Sequence, residues 1–189
     1  MLESLSTVHR FTIADYHAMG EAGILPRDRR LELIEGQILE MSPIGPRHLA
    51  AVDRLNRIFV FACGTDAIVR VQGSIRLPPI SEPKPDLLVL VEAKDFYAGV
   101  AAVGPQALLA IEVSDTSLAY DTMVKAPLYA REGIPELWVI DLQHDQLLVY
   151  RLADATHYAE PKRLTSGSIS PERLPALSFD IAELLATGR

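Results

Sequence analysis

One cysteine, Cys63, occurs in 189 residues. That scarcity excludes an intrachain disulfide and a zinc site built from several thiolates, and it suits a reducing compartment. No apolar run approaches the roughly 18–20 residues that span a bilayer, so a membrane partner is not expected. Basic residues are in deficit: 18 Lys and Arg stand against 25 Asp and Glu, for a net charge of −7. Phosphate-binding surfaces favour the opposite sign. Carboxylates that hold cations would account for part of the deficit, and local basic clusters exist at Arg27, Arg29 and Arg30 and at Lys162-Arg163. Residues Met1 to Leu5 lack the basic flank and apolar stretch of a signal peptide. There is no internal repeat and no low-complexity linker. These absences predict a soluble cytoplasmic protein forming one domain over residues 1–189, long enough to bury a sizeable core.

What is present is an α+β pattern. Thr12 is placed as the N-cap of a helix, with Asp15 in its first turn. Residues 31–41 read as a hairpin turning at Glu35-Gly36. Pro46 opens a helix in which Leu49, Val52, Leu55, Ile58 and Phe59 recur at helical spacing, and Gly64 stops it. A strand-like stretch from Ala67 to Leu77 follows. Prolines at 78, 79, 83 and 85 then impose an extended loop before the apolar run that begins at Asp86. Ser117 is expected to cap a helix running to about Arg131, kinked at Pro127 and ended by Gly133. Glu136–Asp141 and Leu147–Tyr150 form a second hairpin, and a short strand and closing helix fill Leu174 to Leu185. Cys63, Trp138, Val139, Ile140, Leu128 and Tyr129 read as structure, and Asp115 as a cap for the Ser117 helix.

The chemistry centres on two carboxylates set in apolar segments, Asp86 in PDLLVLV and Glu112 in LLAIEVS. A buried carboxylate is costly without a compensating charge, and two that converge are typical of a divalent-metal site. Asp86 starts its strand and Glu112 ends the next. If those strands pair antiparallel, both side chains reach one end of the sheet, and a one-residue slip would turn either of them away. Lys125 lies four residues beyond Asp121 on the following helix. It reads either as a cation of the site or as a surface partner of Asp121.

The motifs LELIEGQILEM (31–41), EPKPDLLVL (82–90), AIEVSDTSLAYDTMVKAPLYAREGIPELWVID (110–141) and LPAL (174–177), with the helix carrying His48, resemble the Uma2-like family of putative restriction endonucleases. That family is a branch of the PD-(D/E)XK nuclease superfamily. The resemblance covers nearly the whole chain. It implies a restriction-endonuclease-like mixed sheet flanked by helices, with an N-terminal helix and hairpin. It also implies a Mg²⁺-dependent endonuclease acting on DNA, with Mn²⁺ able to substitute. Asp86 matches the PD aspartate and Glu112 the second acid. Ser114 stands where the superfamily usually has lysine, and Lys125 fits a lysine migrated to the next helix. Metal would be held by Asp86, Glu112 and the carbonyl of Val113. Glu32 is the favoured supporting acid, ahead of Glu35 at the turn. His48 is a candidate base or phosphate contact, and Gln72 a weaker one.

Three classes remain open from the residues alone: the nuclease, a nucleic-acid-binding relative that lost turnover with the motif lysine, and a protein-interaction domain suited to an acidic surface. A sheet edge free to pair across a two-fold axis would suit a homodimer.

Overall fold

The computed structural model describes residues 8–186. The reading of residues 1–5 lies outside them. The chain forms two compact units, one comprising the residues up to Pro43 with Ser74–Lys84, the other Ile44–Gly73 with the residues from Pro85 onward. No helix among the described residues is long and apolar enough to cross a membrane.

The smaller unit begins with α1 (Ile13–Glu21). The Asp15 N–H donates to the Thr12 hydroxyl at 3.1 Å, and the Thr12 N–H donates to the Asp15 carboxylate at 2.9 Å. This reciprocal box satisfies two of the backbone donors that a helix start leaves without partners. Strands β1 (Leu31–Ile34) and β2 (Gln37–Glu40) pair antiparallel with Ile34 opposite Gln37. Their two-residue turn, Glu35 and Gly36, takes φ of 49° and 75°, the mirror-image conformation that matches strand twist. A Cβ at Gly36 would lie 2.5 Å from Cβ of Arg10, so glycine is needed here for space as well as for φ.

The larger unit opens with α2 (Pro46–Cys63), with Pro46 in its first turn and Gly64 at its end. Ala51, Val52, Leu55, Phe59 and Cys63 face inward, whereas Leu49, expected on that stripe, is exposed. A six-stranded sheet follows: β3 (Ala67–Val71), β4 (Leu87–Val91), β5 (Ala107–Ser114), β6 (Glu136–Asp141), β7 (Gln146–Arg151) and β8 (Lys162–Leu164), adjacent in that order. The β5–β6 pair is parallel and the other neighbours are antiparallel. The strand expected to run to Leu77 stops at Val71, where Gln72 takes φ of 49°, and Ile75 and Leu77 are buried in the smaller unit instead.

One face of the sheet, carrying Leu87, Val89, Leu109, Ile111, Val113, Trp138 and Ile140, packs on α2 and on the closing helix α5 (Ile181–Leu185). Phe59 stacks on Phe179 at 4.5 Å and meets the edge of Trp138 at 5.9 Å. The opposite face is covered by the crossover between β5 and β6. Burial on both faces explains why β4 and β5 read as nearly unbroken apolar runs.

That crossover consists of α3 (Leu118–Tyr120), a π-helical segment (Asp121–Lys125) and α4 (Ala126–Arg131), continuous along the chain. The expected kink at Pro127 is thus a π-helical widening just before it. The Ala126 N–H donates five residues back, to the Asp121 carbonyl. Proline has no N–H and crowds the preceding turn, and a widened turn accommodates it while changing which side chains face the sheet. The whole is an α+β fold with a mixed sheet flanked by helices and an N-terminal helix and hairpin.

Candidate active site

Asp86 sits immediately before β4, and the β4–β5 register pairs Leu87 with Ile111. One step further places Asp86 opposite Glu112, the antiparallel juxtaposition expected from the sequence. Beyond Ile111, β5 has no β4 backbone to bond, and the Asp86 side chain takes over: the Val113 N–H donates to Asp86 Oδ2 at 2.9 Å. The N–H and C=O of one strand residue point to the same side, so the Val113 carbonyl faces this edge too. Asp86 Oδ2 also lies 3.0 Å from His48 Nε2, in the first turn of α2. Gln72 donates its N–H to the Asp86 carbonyl at 2.9 Å, while its Nε2 stands 3.5 Å from Oδ1. The last contact is too long to be a strong bond. Oδ1 of a buried carboxylate therefore keeps acceptor capacity.

Glu112 is as deeply placed. Its Oε1 accepts from Lys125 Nζ at 3.1 Å and from the Tyr129 hydroxyl at 2.7 Å. Lys125 is only 2% exposed, and its ammonium lies 5.7 Å from the centre of the Tyr120 ring. It is not the surface partner of Asp121 that spacing alone allowed. Removing two charges from water is costly unless each is closely satisfied, and the Lys125 and Tyr129 contacts to Glu112 provide that satisfaction here.

The sequence profile of the Uma2 family, whose description is putative restriction endonuclease, matches residues 13–182. The chain belongs to the Uma2 family. Among solved structures, the Uma2 chain is similar to a putative nuclease belonging to DUF820 from Anabaena variabilis, with a TM-score of 0.67 at 17% identity. That similarity covers 88% of this chain and 96% of the other. A comparison with curated proteins finds no match.

Ser114, expected where the resemblance places a lysine, is fully buried at the end of β5 in this Uma2 chain. Its hydroxyl donates to Asp121 Oδ2 at 2.6 Å, and the Ser117 hydroxyl donates to the same oxygen at 2.6 Å. Ser117 thus serves Asp121 rather than capping the helix backbone. Burial pushes the Asp121 carboxyl above its ordinary range. Lys125 and the two serine hydroxyls oppose that shift, and the charge of Asp86 adds to it. Asp86, Asp121 and Lys125 are therefore within electrostatic reach of one another. From spacing alone Asp121 reads only as a surface partner of Lys125, whereas it is buried beside the Asp86 and Lys125 charges. Its signal was the four-residue spacing to Lys125, which puts both on one helical face, here the face turned to the sheet. Asp115, expected as a cap, instead accepts from the Gln143 side chain at 2.8 Å and from Arg47 at 3.4 Å.

Glu32 is buried in β1 of the smaller unit, where its Oε1 accepts the Lys84 N–H at 3.1 Å, while Glu35 is exposed at the turn. Among the described residues no three or more His, Cys, Asp or Glu side chains gather as a metal cage. Mg²⁺ does not need one: it is usually held through one or two carboxylates and keeps several waters. Asp86 Oδ1, the Glu112 carboxylate and the Val113 carbonyl are hard oxygen donors at one end of β4 and β5, and that donor set fits such an ion.

Proposed function

We propose that this Uma2 protein is a metal-dependent endonuclease that hydrolyses DNA phosphodiester bonds. Family and fold support a nuclease. The observation that carries the rest is the convergence of Asp86 and Glu112 at one end of β4 and β5, with Lys125 Nζ 3.1 Å from Glu112. Asp86, Glu112 and the Val113 carbonyl would hold Mg²⁺ or Mn²⁺. When bound, such an ion polarises the phosphodiester and favours ionisation of a water.

The remaining work falls to the chain. His48 and the Val113 N–H both engage Oδ2 of Asp86, which fixes the carboxylate and leaves Oδ1 for the cation. Lys125 would supply the cation at a site where Ser114 stands in place of the usual lysine. The Lys125 side chain, beside Glu112, would stabilise negative charge developing on the phosphate. Asp121 keeps Ser114 and Ser117 turned away and holds the helix that presents Lys125. Glu32 is the supporting acid in this reading, on the strength of its motif. The nuclease domain takes in both units, as the family match does.

Ser114 favours one second reading, a relative that binds nucleic acid without cutting it. Incubation of supercoiled plasmid, single-stranded DNA and RNA with Mg²⁺ or Mn²⁺ separates the two. Cleavage by the wild type that is lost in Asp86→Ala and Lys125→Ala supports the nuclease. Binding without cleavage, retained in Asp86→Ala, supports the alternative. Linear rather than nicked product would show that both strands are cut, as a homodimer would do.

A further inference from the structure

On the far side of the helix that carries Lys125 lies a cavity of about 460 Å³, within the range of small-molecule sites. Thr122 and Ala126 line it, whereas Asp121, Lys125 and Tyr129, the neighbouring positions on the same helical stretch, are directed to the sheet. One helical wall therefore separates the cavity from the candidate active site. Two tyrosines form its aromatic part: Tyr150 on β7 and Tyr158 lie 5.9 Å apart, with their rings tilted by 49°. The Tyr158 ring is fixed in place, because its hydroxyl donates to the Ile134 carbonyl at 2.8 Å. Arg131, at the end of α4, and Arg163, on β8, line the same cavity, with one acidic residue, Glu160. Burial pushes the Tyr150 hydroxyl up, with Arg163 opposing and Glu160 reinforcing. Both charges thus sit within reach of the aromatic wall.

A tyrosine platform beside two arginines matches the two halves of a nucleotide. Bases stack on aromatic rings irrespective of sequence, and guanidinium groups bind phosphate bidentately. We propose that this cavity binds one nucleotide, its base on the Tyr150–Tyr158 pair and its phosphate between Arg131 and Arg163. The shared chemistry is a nucleoside 5′-phosphate, supplied either free or as part of a single strand. The site does not depend on cleavage at Asp86.

Calorimetric titration without divalent metal tests this, using dAMP, deoxyadenosine, inorganic phosphate and a short 5′-phosphorylated single-stranded oligonucleotide. The expected result is that dAMP binds at least about tenfold more tightly than deoxyadenosine or inorganic phosphate, since each lacks one of the two contacts. Arg163→Ala, at an exposed position, should weaken dAMP by about tenfold, Arg163→Lys by less, and Asp86→Ala not at all. An oligonucleotide that binds more tightly than dAMP, with the same Arg163 dependence, identifies a strand as the source. Equal affinities identify the free nucleotide or a strand end. No dAMP binding at millimolar concentration overturns the proposal. So does inorganic phosphate binding as well as dAMP, or indifference to Arg163→Ala in a variant that melts like the wild type.

Discussion

Replacing Lys125 by methionine tests whether the buried cation belongs to a poised site or merely fills space. Methionine keeps most of the length and apolar surface of the side chain, so the change is close to deletion of the charge. Lys125 and Glu112 are each 2% exposed and 3.1 Å apart, so the variant strands a carboxylate in the interior. Breaking a buried pair from one side costs about 3–5 kcal/mol. In a chain of this size each kcal/mol moves the midpoint by roughly 2–4 °C, so a fall of about 6–20 °C is expected. The double variant Glu112→Gln/Lys125→Met removes both charges and keeps an oxygen for the Tyr129 hydroxyl, so most of the loss should return. On the proposed reading, Lys125 and a divalent cation would compete for Glu112. Mg²⁺ should therefore stabilise Lys125→Met more than the wild type, approaching about 2.7 kcal/mol at a hundredfold excess over its Kd. Thermal melts followed by circular dichroism, with and without Mg²⁺, read all three effects. A single variant that melts with the wild type, or a double variant that melts no higher than the single, would refute the reasoning.

Asp121→Asn should change the pH dependence of stability. The folded chain holds the Asp121 proton more tightly than the unfolded chain does, so wild-type stability falls as pH rises from the ordinary carboxylate range through the raised folded value. Asparagine cannot ionise, and the variant should gain on the wild type across that window. A difference in urea midpoint that stays constant between pH 4 and 8 would contradict the account. In the smaller unit, Gly36→Ala meets both a positive φ and a Cβ contact of 2.5 Å, whereas Gly23→Ala meets a φ of 72° with nothing within 4 Å. Gly36→Ala should cost more than about 1 kcal/mol, and Gly23→Ala distinctly less. Equal urea midpoints for the two would show that the Arg10 contact is of no consequence.

Features with local causes were legible in the sequence. The Thr12–Asp15 box, the Glu35-Gly36 turn and the Pro46 and Gly64 boundaries each depend on a few adjacent residues, and the structure has them where expected. The Asp86–Glu112 juxtaposition was readable only on the condition that the two strands pair antiparallel, and the register meets that condition. What escaped depends on contacts distant in sequence. Nothing local marks Val71 as the end of β3, since Ile75 and Leu77 continue an apolar alternation but are buried in the other unit. Pro127 announced a disturbance in its helix, but not that the turn before it would widen and direct Asp121, Lys125 and Tyr129 to the sheet. Ser117 and Asp115 look like helix caps on local rules. Their partners, Asp121 for the serine and Gln143 and Arg47 for the aspartate, were settled by the tertiary arrangement.

The most direct test of the central claim is calorimetric titration of Mn²⁺ and Mg²⁺ into the wild type, Asp86→Ala and Glu112→Ala, each alone and with a DNA duplex whose scissile bonds are phosphorothioates. The account predicts binding to the wild type that is lost in both variants while their folds are retained. Binding that persists unchanged in both variants, or none to the wild type even with DNA present, would contradict it.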